Sequence, residues 1–144
     1  MKTIEFKDKL SQIEIIINLY GKFNIIDGDS GTGKTFLYEL INNKVKNTIC
    51  INTDTLKAWE LAGNVEDSFK NILKNSADTL IIIDRADEIF RTNENILNII
   101  CVDDSSNIFL MFTRTSIFVQ DITTWHNVEY DKENSKLTVE PVFD

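Results

Sequence analysis

Gly28-Asp29-Ser30-Gly31-Thr32-Gly33-Lys34-Thr35 decides how this chain is read. The stretch fits G-x-x-x-x-G-K-[ST] at every fixed position, the pattern of a loop that holds phosphate. Its glycines open backbone conformations that a Cβ forbids. Successive N–H groups can then turn inward and form an anion nest. A helix that begins where the loop ends points its positive end at the same place. In this pattern Lys34 bridges the outer phosphates and Thr35 offers its hydroxyl to Mg²⁺.

The flanks supply what such a loop needs. Phe23, Ile25 and Ile26 form an apolar run before it, as a buried parallel strand does. Behind it Phe36, Leu37, Leu40 and Ile41 recur at helical spacing. Downstream, Leu80-Ile81-Ile82-Ile83 is closed by Asp84. An apolar strand ending in aspartate is the pattern by which a carboxylate helps to hold Mg²⁺, generally through water. Taken alone it also fits an aspartate that only caps the next helix. Its position downstream of a phosphate loop favours the metal role.

The remaining segments sort by period. Residues 2–19 read as two strands: Ile4 and Phe6 alternate with polar residues, and Ile13, Ile15 and Ile17 with Glu14, Ile16 and Asn18. A hairpin through Asp8–Ser11 then puts both on one edge of a sheet. A helix through 10–20 is the alternative, against which the β-branched composition argues. Further strands are expected at 23–27, 48–52, 79–84 and 107–112. Thr53 or Asp54 can cap a helix that begins near Leu56. Gly63-Asn64 separates it from a helix whose apolar stripe is Val65, Phe69, Ile72 and Leu73. Another helix begins at Thr92 or Asn93 and carries Ile96, Leu97, Ile100 and Cys101. Residues 114–126 read ambiguously. Strands at 128–130 and 137–142 are joined by a polar turn at 132–136. Strands that alternate with helices imply a parallel sheet covered on both faces. Right-handed crossovers collect the carboxyl ends of those strands at one edge, where ligands bind. The phosphate loop, Asp84 and residues 113–115 all belong to that edge.

Composition bounds the rest. The 144 residues suit a single domain spanning 1–144, with one proline and no linker or repeat. A net charge of −8 disfavours nonspecific nucleic-acid binding, which is usually the work of basic surfaces. It also means that phosphate must be held by the loop and not by a general positive field. No run approaches the roughly 18 apolar residues of a membrane helix. The N-terminus has no signal-type apolar core. Cys50 and Cys101 form neither a metal pattern nor a disulfide framework, so they read as small core residues in a cytoplasmic protein.

With the loop, the strand ending at Asp84 and their order in view, the chain resembles the P-loop NTPases. Within that class it looks like a minimal AAA+-like ATPase core, over residues of about 22–131. The resemblance implies a three-layer sandwich with a mostly parallel sheet of core order 5-1-4-3-2, here extended by antiparallel strands at the two chain ends. It implies ATP and Mg²⁺ as cofactors. It makes Gly28, Asp29, Ser30, Gly31, Thr32, Gly33, Lys34 and Thr35 the Walker A nucleotide contacts, and Asp84, with Thr35, the metal-side residue of Walker B. It puts a polar sensor at the end of the fourth core strand, where Thr113-Arg114-Thr115 stands.

This chain also departs from the pattern. In AAA+ proteins a glutamate follows the Walker B aspartate and polarises the attacking water; here that residue is Arg85. Glu88, one helical turn beyond Asp84, is the candidate replacement. It is equally a first-turn carboxylate serving the helix dipole. Arg114 either stabilises charge on the outer phosphate or forms a surface ion pair of little worth. Only a short hairpin follows residue 131, where AAA+ proteins have a helical lid. His126, Trp59 and Trp125 read as structural. The expectation is an ATP-binding protein with slow or partner-dependent hydrolysis, acting with a protein partner or through self-association. The alternatives are a nucleotide-gated interaction module without significant hydrolysis, or a small-molecule or nucleotide kinase. The kinase lacks support from any arginine-rich lid segment.

Overall fold

Residue alternation builds the sheet. In β3 (Phe23–Ile26) and β5 (Leu80–Ile83) every residue is buried, and successive side chains belong to different cores. Phe23, Ile25, Ile81 and Ile83 join one cluster, whereas Ile26, Leu80 and Ile82 join the other. A strand buried on both faces is apolar nearly throughout, with Asn24 of β3 the buried polar exception. This is why these segments read as continuous runs. The computed structural model describes residues 2–27, 34–114 and 123–142.

The other strands are β1 (Lys2–Lys7), β2 (Glu14–Leu19), β4 (Thr48–Ile51), β6 (Ile108–Phe112), β7 (Thr123–Asp131) and β8 (Lys136–Pro141). Together they form one sheet of eight strands in the order β1-β2-β8-β7-β3-β6-β5-β4. From β7 to β4 every pairing is parallel. The β1–β2 and β7–β8 pairings are antiparallel hairpins, joined to each other by a parallel β2–β8 pairing.

Helices cover both faces. On one side lie α2 (Thr53–Ala62), α3 (Val65–Asn75), α4 (Ala86–Thr92) and α5 (Glu94–Cys101). Their Leu56, Phe69, Leu73, Ala86, Ile89, Phe90, Ile96 and Ile100 pack against Phe109 and Met111 of β6. On the other side lies α1 (Lys34–Lys44), whose Leu37, Tyr38, Leu40 and Ile41 pack on Ile15, Ile17, Leu137 and Val139 as well as on β5 and β6. The chain is therefore a three-layer α/β sandwich.

Local chemistry fixes the element ends. Asn52, rather than the expected Thr53 or Asp54, caps α2: its side-chain oxygen accepts from the Thr55 N–H at 2.9 Å. Gly63 ends α2 in the left-handed region at φ +69°, where glycine has no Cβ to clash. β4 is only half-buried along most of its length. It is the outer strand, with β5 as its one neighbour. The segment 114–126, unassigned from sequence, contributes its last residues to β7.

The sheet is staggered at the edge that matters. Ile26, the last residue of β3, lies between His126 of β7 and Phe112 of β6. β6 runs out with β3, but β7 continues to Asp131, paired with β8. The β7–β8 hairpin and the β1–β2 hairpin therefore rise past the point where β3 ends. The Glu14 N–H donates to the Ser135 carbonyl at 2.9 Å and ties the two hairpins together.

Candidate functional site

The strands that end at this edge deliver the site residues. β3 ends at Ile26, Asp27 follows it, and the chain enters α1 at Lys34. Residues 28–33 lie outside the described residues, as do the side chains of Lys34 and Thr35. The loop is anchored by a buried central strand before it and an eleven-residue helix after it.

Asp84 directly follows β5, and its N–H donates to the Ile51 carbonyl at 2.9 Å. Alternation along β5 assigns it to the face of Leu80 and Ile82, which is the face that α1 covers. The surroundings agree. Tyr38 of α1 has its phenol pushed up to about 12, by burial first, and its charged form is further disfavoured by Cys50 and by Asp84. Asp84 also raises Cys50, after burial. The carboxylate and the helix that begins with Lys34 and Thr35 thus share one side of the sheet.

Thr113 and Arg114 follow β6, the neighbour of β3. The Thr113 N–H donates to the Ile26 carbonyl at 2.9 Å, so the end of β6 is fastened to the last residue before the loop. Thr113 is buried, and Arg114 is exposed. Thr115 lies outside the described residues.

The acidic cluster after Asp84 belongs to the other side. α4 packs Ala86, Ile89 and Phe90 into the core opposite α1. Glu88 accepts from Arg91 Nη2 at 2.6 Å, a partly exposed i,i+3 pair. Arg85 adopts φ +53° and ψ +47°, which turns the chain from β5 into α4. The residue after the aspartate is therefore not a continuation of the strand.

His126 is buried, with Nδ1 3.0 Å from the Thr124 carbonyl oxygen and Nε2 without a hydrogen-bond partner among the described residues. Burial pushes its pKa down. It supports the end of β3 from inside the sheet, as the sequence expects of a structural histidine. Trp59 and Trp125 pack partly buried against the core, Trp59 edge-on to Phe69.

Two features of this edge escaped sequence reasoning. Tyr38 looks like one more apolar helix residue, although its spacing of i+4 from Lys34 puts it on the same helical face. The left-handed turn at Arg85 leaves no signal, because arginine is not a residue that marks such a turn.

No helix among the described residues is long and apolar enough to cross a membrane. A family model described as "ATPase family associated with various cellular activities (AAA)" matches residues 25–122, more than half of the chain. The chain belongs to this family. It is thus a P-loop NTPase of the AAA type, and the family's P-loop α/β fold is the frame of the sheet described above. The match begins inside β3 and takes in the loop, the strand ending at Asp84 and the strand ending at Thr113. No curated protein matches the chain.

Proposed function

We propose that this AAA protein binds ATP with Mg²⁺ at the carboxyl edge of its sheet and hydrolyses it slowly or only with a partner. The observation that carries the reading is the complete phosphate loop of residues 28–35, set between β3 and α1, with Asp84 on the α1 face. Lys34 neutralises charge on the outer phosphates, and the amides of Gly28, Asp29, Ser30, Gly31, Thr32 and Gly33 cradle them.

The donors suit Mg²⁺. No cluster of three or more histidine, cysteine or acidic residues stands among the described residues. A dedicated protein cage needs such a cluster, whereas Mg²⁺ takes one or two protein oxygens and completes its shell with water and phosphate. Thr35 and Asp84 are those oxygens. The bound ion supplies charge neutralisation across the outer phosphates.

Counting β3, β4, β5, β6 and β7 as the five core strands, their order across the sheet supports the 5-1-4-3-2 arrangement implied by the resemblance. On that reading Thr113 and Arg114 are the polar residues beside the outer phosphate. Slow turnover follows from Arg85, which removes the carboxylate from its usual place. Glu88 is the candidate base. Its ion pair with Arg91 is worth only about 0–1 kcal/mol at the surface, so the carboxylate can leave it at little cost.

A second reading has its own support. The cation after Asp84 favours a protein that holds nucleotide without consuming it, so that contact with a protein partner or another copy follows the bound nucleotide. Titration of the chain with ATP, GTP and ADP, with and without Mg²⁺, followed by phosphate release, separates the readings. Lys34→Ala should abolish saturable triphosphate binding with the fold retained. A wild type that shows no saturable binding at millimolar nucleotide would sink both.

A further inference from the structure

Arg85 stands where the chain leaves β5 and turns into α4, directly after Asp84. Its backbone is left-handed, a conformation that costs strain for any residue with a Cβ and none for glycine. The turn is fixed from beyond. The N–H groups of Glu88 and Ile89 both donate to the Arg85 carbonyl, at 3.0 and 3.1 Å, and Ala86 is fully buried. Those bonds use the backbone alone. Glycine would make them equally well, so the turn itself does not call for an arginine side chain.

The side chain is under-satisfied too. Its Nε is buried and without a hydrogen-bond partner among the described residues. The carboxylate oxygen paired with it, Asp87 Oδ1, stands 3.9 Å away, beyond hydrogen-bond reach. The side chain as a whole is 34% exposed, so it reaches the surface of the edge instead of ending in the core. A left-handed backbone and a buried Nε without a hydrogen-bond partner among the described residues therefore meet at one residue, beside the carboxylate that closes β5. Such strain persists at sites where a ligand is met. The ligand that a planar guanidinium fits best is a pair of phosphate oxygens.

We propose that Arg85 reads the terminal phosphate of a bound nucleoside triphosphate, so that the site separates triphosphate from diphosphate by binding. This rests on the reading of residues 28–35 as a nucleotide loop. With the terminal phosphate present, the guanidinium gains the oxygen acceptors that Asp87 does not give it. A diphosphate leaves it as it stands. The two nucleotide states then differ at the residue that caps α4, which is where a nucleotide-dependent contact would begin.

The test is calorimetric titration of Mg-ATP and Mg-ADP into the wild type, Arg85→Ala and Arg85→Gly, with a thermal melt of each. A lost charge-assisted phosphate contact should weaken ATP binding by about tenfold or more, with ADP binding unchanged within about twofold. Arg85→Gly should lose the same discrimination while melting no lower than the wild type, because it relieves the left-handed strain. Variants that keep the wild-type ratio of ATP to ADP affinity overturn the assignment of Arg85 alone. A fall of both affinities together, or a lower melt with the ratio intact, marks a structural role and overturns it as well. A wild type that binds neither nucleotide overturns this assignment together with the nucleotide reading beneath it.

Discussion

Asn24→Ala should loosen the root of the strand that carries the phosphate loop. Asn24 is fully buried in β3 and holds the turn that enters it. Its side-chain oxygen accepts from the Tyr20 N–H at 2.9 Å. Its amide donates to the Gly21 carbonyl at 3.3 Å and, across to β6, to the Phe109 carbonyl at 3.2 Å. The first bond is of ordinary length and worth about 1 kcal/mol net, while the two longer ones contribute about 0.5 kcal/mol each. The small void adds to this, so the expected loss is about 2–3 kcal/mol. In a domain of 144 residues that lowers the melting temperature by about 6–12 °C. Reversible thermal or urea unfolding followed by circular dichroism measures it. Nucleotide affinity below the melt should stay near wild type, because Asn24 lies toward the start of β3 and the loop leaves from its end. A melting temperature within about 2 °C of wild type would refute the bond-by-bond reasoning. Lost binding in a fully folded variant would refute the separation of root from site.

Two further outcomes are expected. If Glu88 is the base, Glu88→Gln should keep ATP affinity and lower single-turnover hydrolysis by about 10²-fold or more; a change of only a few fold would leave Glu88 as the partner of Arg91. Stability should fall as the pH drops through the ordinary histidine value of 6.5, because burial lowers the pKa of His126 and the unfolded chain takes up the proton more readily. The penalty is absent above that pH and complete once the lowered folded value is passed, so His126→Gln should flatten the melting temperature between about pH 7.5 and 5.5. Asp8 and Asp131 sit below their ordinary 3.8, through bonds from Ser11 and Asn134 respectively. Their contribution is present above that value and lost only below it, outside the histidine window. A wild-type profile that is already flat from neutral to mildly acid pH would disprove the burial argument.

The parts of this molecule that were legible in the sequence are those set by local chemistry. A phosphate loop demands glycines and a lysine at fixed spacing, and residues 28–35 fit that pattern, although residues 28–33 lie outside the described residues. Ile81, Ile82 and Ile83 are apolar on consecutive positions because both sheet faces are covered, and that is visible as a run. Gly63 marks the end of α2 because only a residue without a Cβ takes φ +69° freely. What stayed hidden was set by distant contacts. The outer position of β4 follows from sheet order, which its own residues do not encode. β7 was obscure because its first strand residues, Thr123 and Thr124, carry no apolar signal and gain their place by pairing with Phe23 and Asn24. The turn at Arg85 was hidden for the opposite reason: the residue is one that such a turn disfavours.

That last mismatch bears on how the edge works. Asp84 belongs to the α1 face, and Asp87 and Glu88 belong to a helix packed on the other face. A glutamate directly after Asp84 would take its direction from the strand. Here the chain turns left-handed at that residue, so the carboxylates of α4 approach the edge from behind the sheet. Replacing Arg85 by glutamate would therefore restore a charge without restoring its direction. The charged groups are divided across the sheet: Asp84 belongs to the side that α1 covers, and Glu88, paired with Arg91, to the helix on the other side. If Glu88 is the base, its weak surface pair with Arg91 is the contact that has to open first.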